Sequence, residues 1–265
     1  GYTLIESPQR RQTLSHIHAD PNVLGRVYLE ALPIDASVAR AAAALAELEP
    51  VSTQGWGEWT RQLRADYEGH STPPAPHPAL DGVDFAAVMA QLDATLPDDT
   101  IIANGAGNYT VWVHRFFRYR RPATELAPTN GAMGYGLPAA IAAKLRHPQR
   151  SVVCLAGDGC FMMYPQELAT AMQYGAAVVV IVVNNGMLGT IRMHQEREYP
   201  GRAVATKLAN PDFVALARAF GAHAERVTQT ADFAAAFARA SKSGLPALIE
   251  LCVDPRQITP QARLA

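Results

Sequence analysis

Cysteine is scarce in this chain: three in 265 residues, Cys154, Cys160 and Cys252, with no C-x-x-C spacing among them. That excludes a disulfide-stapled scaffold and a cysteine-clustered zinc or redox centre, and three buried thiols in a reducing compartment are the expectation. Charged residues make up only 18 % and the net charge is −1. Neither nucleic acid nor an anionic membrane surface is therefore expected as a partner. Long hydrophobic runs are missing too: the longest, Ala176 to Val183, falls far short of the ~20 residues a membrane-spanning helix needs. No signal-peptide pattern opens the chain, and a cytoplasmic location is the expectation. Apolar residues are abundant, at 49 %, enough to bury a sizeable core in one large α/β domain or in one domain plus part of another.

Residues 13–19, "TLSHIHA", alternate as a strand, with His16 and His18 on one face. With no third ligand in view these read as structural histidines. Helical patterns follow in "DASVARAAAALAELE" and "WGEWTRQLRADYEG". The proline-dense stretch "STPPAPHPALDG" then marks a linker over 71–82. A lone strand cannot satisfy its edges, so residues 1–70 are expected to be the remnant of a domain whose first part lies elsewhere. Over 83–265 apolar strands ("TIIAN", "SVVCLAG", "AAVVVIVVNN", "PALIELCVD") alternate with helical segments, among them "PQELATAMQYG" with Pro165 at its first position. That alternation predicts a parallel sheet flanked by helices on both faces.

One pairing carries chemistry. Strand 151–157, helix 165–174 and strand 176–183 form one right-handed βαβ unit. Asp158 then leaves the first strand beside the point where Asn185 leaves the second, at the edge where open α/β sheets bind ligands. A carboxylate, an amide oxygen and a nearby carbonyl are hard ligands that suit Mg²⁺ or Ca²⁺ and suit zinc poorly. Glycines flank Asp158, and the N–H groups of Gly159 and Cys160 are placed to face a phosphate. A helix-capping Asp and an Asn-Gly turn, with no chemistry at all, are the alternative.

"GDG" followed at this distance by "NN" resembles the diphosphate- and Mg²⁺-binding motif of thiamine diphosphate enzymes. "TNGAMGYGLPAAIAA" is similar to a segment of the acetolactate synthase-type members. "NPDFVALARAFGA" and "PALIELCVDP" are similar to the closing segments of their cofactor domain, and the likeness covers about residues 80–258. Residues 13–70, with "HADPNVLGRVY", resemble the last third of the family's Rossmann-like middle domain. The resemblance implies Mg²⁺ held by Asp158, the Asn185 side chain and the Met187 carbonyl. It implies a diphosphate received by Gly157, Gly159, Cys160, Leu188 and Gly189 on one side and by Gly107, Asn108 and Tyr109 on the other. It further implies an aminopyrimidine hydrogen-bonded to the Gly131 carbonyl and a folded cofactor wedged by Met133, which without the family would read as an ordinary core residue.

The cofactor itself supplies the electron sink for decarboxylation of a 2-oxo acid. In the family a glutamate on a separate pyrimidine-binding domain completes the site, and nothing in these residues resembles that domain; Glu167 is a poor substitute. The resemblance therefore implies half an active site, completed by another chain or an N-terminal region, within a homo-oligomer packed about "GAMGYGLPAA". Where acetolactate synthases carry a pattern like "GMVxQWQ", this chain has Met193 and His194. Arg192 and His194 remain candidate substrate contacts, His194 being a proton donor, a substrate ligand or a solvated loop residue. The expected activity is decarboxylation of a pyruvate-like acid with carboligation. The alternatives are a decarboxylase or carboligase using another acyl donor, or a non-catalytic cofactor-binding module.

Overall fold

The structure is a computed structural model that describes residues 5–6 and 11–264. Residues 1–4, 7–10 and 265, which the expected domain ranges include, lie outside the described residues. The chain divides into two compact units, Gly1–Leu63 and Arg64–Ala265.

In the first unit β1 (Ser15–His18) pairs in parallel with β2 (Leu32–Asp35). The strand expected to stand alone thus has a partner; Pro33 and the exposed Leu32 hid β2, because neither period 2 nor burial marks so short a segment. Helix α1 (Val38–Ala46) starts where the Ser37 hydroxyl accepts the Arg40 N–H at 3.3 Å. No described residue of this unit is buried, so these elements make no core of their own. His16 Nδ1 lies 3.7 Å from the Glu30 carboxylate and His18 Nδ1 accepts the Asp20 N–H at 2.9 Å. Helix α2 (Gly57–Ser71) spans the boundary between the units and takes in the first residue of the proline-rich stretch; residues 72–82 contain no helix or strand.

The second unit runs α3 (Phe85–Thr95), β3 (Ile101–Asn104), α4 (Tyr109–Phe116), β4 (Glu125–Leu126), α5 (Gly136–Arg146), β5 (Val152–Gly157), α6 (Asp158–Phe161), α7 (Glu167–Gln173), β6 (Val179–Asn184), α8 (Gly189–Glu198), α9 (Phe213–Ala219), β7 (His223–Val227), α10 (Phe233–Lys242) and β8 (Ala247–Cys252). The six strands form one all-parallel sheet in the order β4-β3-β5-β6-β8-β7. Alternate residues of β6 serve opposite cores. Val179, Ile181 and Val183 pack with Met89, Trp112 and Phe233 from α3, α4 and α10. Val180 and Val182 pack with Ile141, Leu168 and Phe213 from α5, α7 and α9. A strand buried on both faces reads as a continuous apolar run, which is how β5, β6 and β8 were legible.

Three details differ from expectation. Helix α7 begins at Glu167, so Pro165 lies in the preceding turn and not at the first helical position. The stretch carrying His194, for which a solvated loop was one of the readings left open, is helix α8; no residue of it is buried, so no apolar face announced it. Strand β7, with Glu225 and Arg226, went unread because it is a polar edge strand. Among the described residues no helix is long and apolar enough to cross a membrane. Cys154 and Cys160 are buried free thiols and Cys252 is half-buried.

Candidate active site at the strand ends

The register of β5 on β6 sets Gly157 opposite Val183, so the chain leaves both strands at the same level. Asp158 opens α6 there, and Asn185, Gly186 and Met187 form the turn after β6. Gly186 takes φ +67°, a left-handed conformation that lets the chain reverse between the two flanking residues. Asn185 Oδ1 accepts the Met187 N–H at 3.1 Å, closing that turn. The Met187 carbonyl accepts the Gly189 N–H at 3.0 Å and keeps a second lone pair.

Asp158 is 2 % exposed, and among the described residues no cationic side chain pairs with it. Its carboxylate accepts the Gly159 N–H (2.9 Å), the Gly186 N–H (2.9 Å) and Asn210 Nδ2 (2.7 Å). Burial raises its pKa above the usual carboxylate range, although these hydrogen bonds oppose that shift. A buried carboxylate with only neutral donors around it, next to an amide oxygen and a carbonyl, fits a hard divalent cation. Among the described residues no group of three or more His, Cys, Asp or Glu could hold a metal, so a carboxylate-rich or histidine-rich centre is not built here.

A cavity of about 250 Å³ lies over these strand ends. Every expected cofactor-side residue lines it: Gly107, Asn108 and Tyr109; Gly131 and Met133; Gly157, Asp158, Gly159 and Cys160; and Asn185, Met187, Leu188 and Gly189. Arg192 and His194 do not. Arg192 is paired with Glu196 one turn along α8, and His194 is exposed. Residue 193 does not line it either but touches a residue that does: Asn108 Nδ2 lies 3.6 Å from Met193 Sδ.

The turn after β3 is tied to the segment that carries Asp158 through Tyr109. Its hydroxyl accepts the Gly105 N–H (2.9 Å) and donates to Cys160 Sγ (3.5 Å), and the same sulfur accepts the Gly134 N–H at 3.2 Å. Burial first, then the neighbouring Cys160, pushes the Tyr109 phenol well above its ordinary pKa, so it stays a neutral donor. The Asn108 side chain is engaged by Thr190 Oγ1 (2.8 Å) and the Ile258 carbonyl (3.0 Å), and the Gly159 N–H by Asp158 itself. In this structure neither group points unpaired into the cavity.

Sequence reasoning missed the apolar wall of Leu80, Val83, Phe85, Trp112 and Ile258, and the polar groups behind Asp158: Asn210, Asn184 and Glu250. Glu250 did leave a signal, a lone charge inside the apolar strand "ALIELC". Asn210 left none, because Asn before Pro-Asp reads as the lead-in to a helix cap.

A six-stranded parallel sheet whose adjoining strand ends offer a carboxylate, an amide and a carbonyl to one cavity defines an α/β domain with a candidate ligand site at the strand ends. The chain belongs to the thiamine pyrophosphate enzymes: residues 105–251 match the family's C-terminal TPP binding domain. It is 31 % identical over 208 residues to acetolactate synthase isozyme 2 large subunit of Escherichia coli, a match covering 78 % of this chain and 37 % of that protein. It is 32 % identical over 262 residues to the acetolactate synthase large subunit of Corynebacterium glutamicum, covering 92 % of this chain and 41 % of the relative. The chain thus spans well under half the length of these relatives. The solved structure of a thiamine diphosphate-dependent 4-hydroxybenzoylformate decarboxylase from Rhodococcus jostii RHA1 superposes with a TM-score of 0.73 at 27 % identity, covering 91 % of this chain and 44 % of that one.

Proposed function

We propose that this chain supplies the diphosphate- and Mg²⁺-binding half of an acetolactate synthase-like active site that decarboxylates a pyruvate-like 2-oxo acid and ligates the product to a second carbonyl compound. The observation that carries this reading is the convergence of Asp158, Asn185 and Met187 on one cavity. Asp158, the Asn185 side-chain oxygen and the Met187 carbonyl would hold Mg²⁺. Gly107, Asn108, Tyr109, Leu188 and Gly189 would enclose the diphosphate, while the Gly131 carbonyl and Met133 would set the orientation of the rings. The cofactor supplies the electron sink for loss of CO₂. The wall of Leu80, Phe85, Trp112 and Ile258 would exclude water from it.

The pyrimidine-side glutamate would come from another chain or another region of the same polypeptide, in a homo-oligomer. General acid–base assistance of that kind is worth about 10²–10⁴-fold, so residues 1–265 without that portion should release essentially no CO₂, and restoring it should recover turnover. A second reading, a 2-oxo acid decarboxylase that protonates its product and performs no carboligation, is favoured by Met193 and His194, which depart from the acetolactate synthase pattern.

Calorimetry on the complete enzyme tests the site. Asp158→Ala should abolish Mg²⁺-dependent cofactor binding, since it removes the only anionic ligand. Unchanged affinity that still depends on Mg²⁺ would rule out this assignment of the ligands.

A further inference from the structure

Asn210 lies between α8 and α9, and its side chain reaches under the ends of β5 and β6. Its Nδ2 donates one hydrogen to Asp158 Oδ2 (2.7 Å) and the other to Asn184 Oδ1 (3.0 Å). The Gly186 N–H is shared between the same two oxygens, at 2.9 Å and 3.1 Å. Asp158 Oδ2 thus has two donors from other segments of the chain, while Oδ1 has none from them and accepts the adjacent Gly159 N–H at 2.9 Å. A carboxylate oxygen accepts about two hydrogen bonds, so the protein fills Oδ2 and leaves a lone pair free on Oδ1.

The polarity of this cluster has an identifiable origin. Amide side chains can turn end for end, and their orientation follows from their partners. Asn184 Nδ2 donates to Glu250 Oε1 at 2.8 Å, and Glu250 Oε2 accepts Arg226 Nε at 2.7 Å. Glu250 is 3 % exposed, and its carboxylate, paired with the Arg226 guanidinium, accepts on both oxygens. That forces the Asn184 amide nitrogen toward Glu250 and its oxygen toward Asn210. The oxygen in turn forces Asn210 to present its nitrogen. If Asn210 turned over, its oxygen would oppose both Asp158 and Asn184; if Asn184 turned over, its nitrogen would oppose two donors.

We propose that Asn210 is a positioning residue for the cation site, holding Asp158 by Oδ2 so that Oδ1 is the ligating oxygen, with Glu250 setting the polarity through Asn184. Asn184 is then the structural member of the Asn-Asn pair and Asn185 the ligating one. The proposal rests on the reading of Asp158 as a Mg²⁺ ligand. It adds residues outside the ligand set, whose loss from metal sites commonly weakens binding about ten- to hundredfold.

The test is Mg²⁺ titration of cofactor binding in the complete enzyme, for the unaltered protein, Asn210→Ala and Asn210→Leu, with the melting temperature of each recorded without metal. Leucine keeps most of the volume and donates nothing. Both variants should bind Mg²⁺ about ten- to hundredfold more weakly, and metal-free melting should not account for the loss. Full affinity in Asn210→Leu would show that Asn210 only fills space and would overturn the proposal. So would full affinity in Asn210→Ala. Cofactor binding by the unaltered enzyme that needs no Mg²⁺ would overturn the functional reading as well, which separates the two failures. A crystal structure of the unaltered enzyme with thiamine diphosphate and Mg²⁺ gives an answer that needs no variant. Ligation through Asp158 Oδ1 with the Asn210 bond kept is expected, and ligation through Oδ2 would overturn the proposal.

Discussion

The Tyr109 hydroxyl accepts the Gly105 N–H at 2.9 Å and donates to Cys160 Sγ at 3.5 Å, so one buried ring joins the turn after β3 to the loop that carries Asp158. Both sides of the cavity are thereby held at a fixed separation before any ligand enters. A phenylalanine would fill the same space and leave the buried Gly105 N–H without an acceptor. Tyr109→Phe should therefore cost about 1–3 kcal/mol of stability, measured by chemical denaturation, and should weaken cofactor binding. A loss below about 0.5 kcal/mol would mean that water satisfies Gly105 instead.

The same ring limits what can stand at position 157. A Cβ on Gly157 would meet Tyr109 Cδ1 at 3.0 Å, and the ring is pinned by its hydroxyl. Gly157→Ala should destabilise the domain by about 1–3 kcal/mol through overpacking. In the Tyr109→Ala background the same change should cost far less. A double-mutant cycle showing simple additivity would place the strain somewhere else.

The residues after β8 add a pH-sensitive wall. Asp254 is 1 % exposed and accepts from Arg256 Nε (3.0 Å), the Arg256 N–H (2.9 Å), the Asp81 N–H (3.2 Å) and Arg263 (2.9 Å). Burial alone would raise its pKa, but these bonds together hold it well below the ordinary carboxylate range. The folded-state pKa lies below the unfolded value of about 3.9, so this contribution is fully present above about pH 4 and is lost as pH falls through the folded value. Asp254→Asn should lower stability at pH 7 and flatten its decline between about pH 4 and pH 2. Denaturation midpoints across that range check it, and parallel curves for the two proteins would refute it.

Legibility followed burial. Strands β5, β6 and β8 announce themselves because two-sided burial imposes apolar runs, and helices α9 and α10 because Gly221 and Gly244 close them. Asp158 and Asn185 were findable because a βαβ crossover converts chain distance into adjacency. The polar edge strand β7 and the solvated helix α8 bury too little to leave a pattern. Asn210, Asn184 and Glu250 escaped for a different reason. Their roles depend on which atom of each amide faces which neighbour, and that is fixed only by three-dimensional contacts.

Gly186 separates the two proposed ligands contributed after β6, and its constraint is conformational and not steric. It stands at φ +67°, and a Cβ there would meet nothing within 4 Å. Its N–H is shared by Asp158 and Asn184, and its carbonyl accepts the Leu208 N–H at 2.9 Å, so the peptide cannot turn over without losing these bonds. Left-handed backbone costs an ordinary residue about 1–2 kcal/mol, less for asparagine and more for a β-branched side chain. Mg²⁺ affinity should therefore fall in the order glycine, Gly186→Asn, Gly186→Ala, Gly186→Val, as the turn relaxes away from the geometry that presents the Asn185 oxygen and the Met187 carbonyl together. Mg²⁺ titration of cofactor binding across the four proteins gives the ranking. Equal affinities would show that the cation, once bound, imposes the turn whatever residue stands at 186, and that the glycine is not needed to preorganise the site.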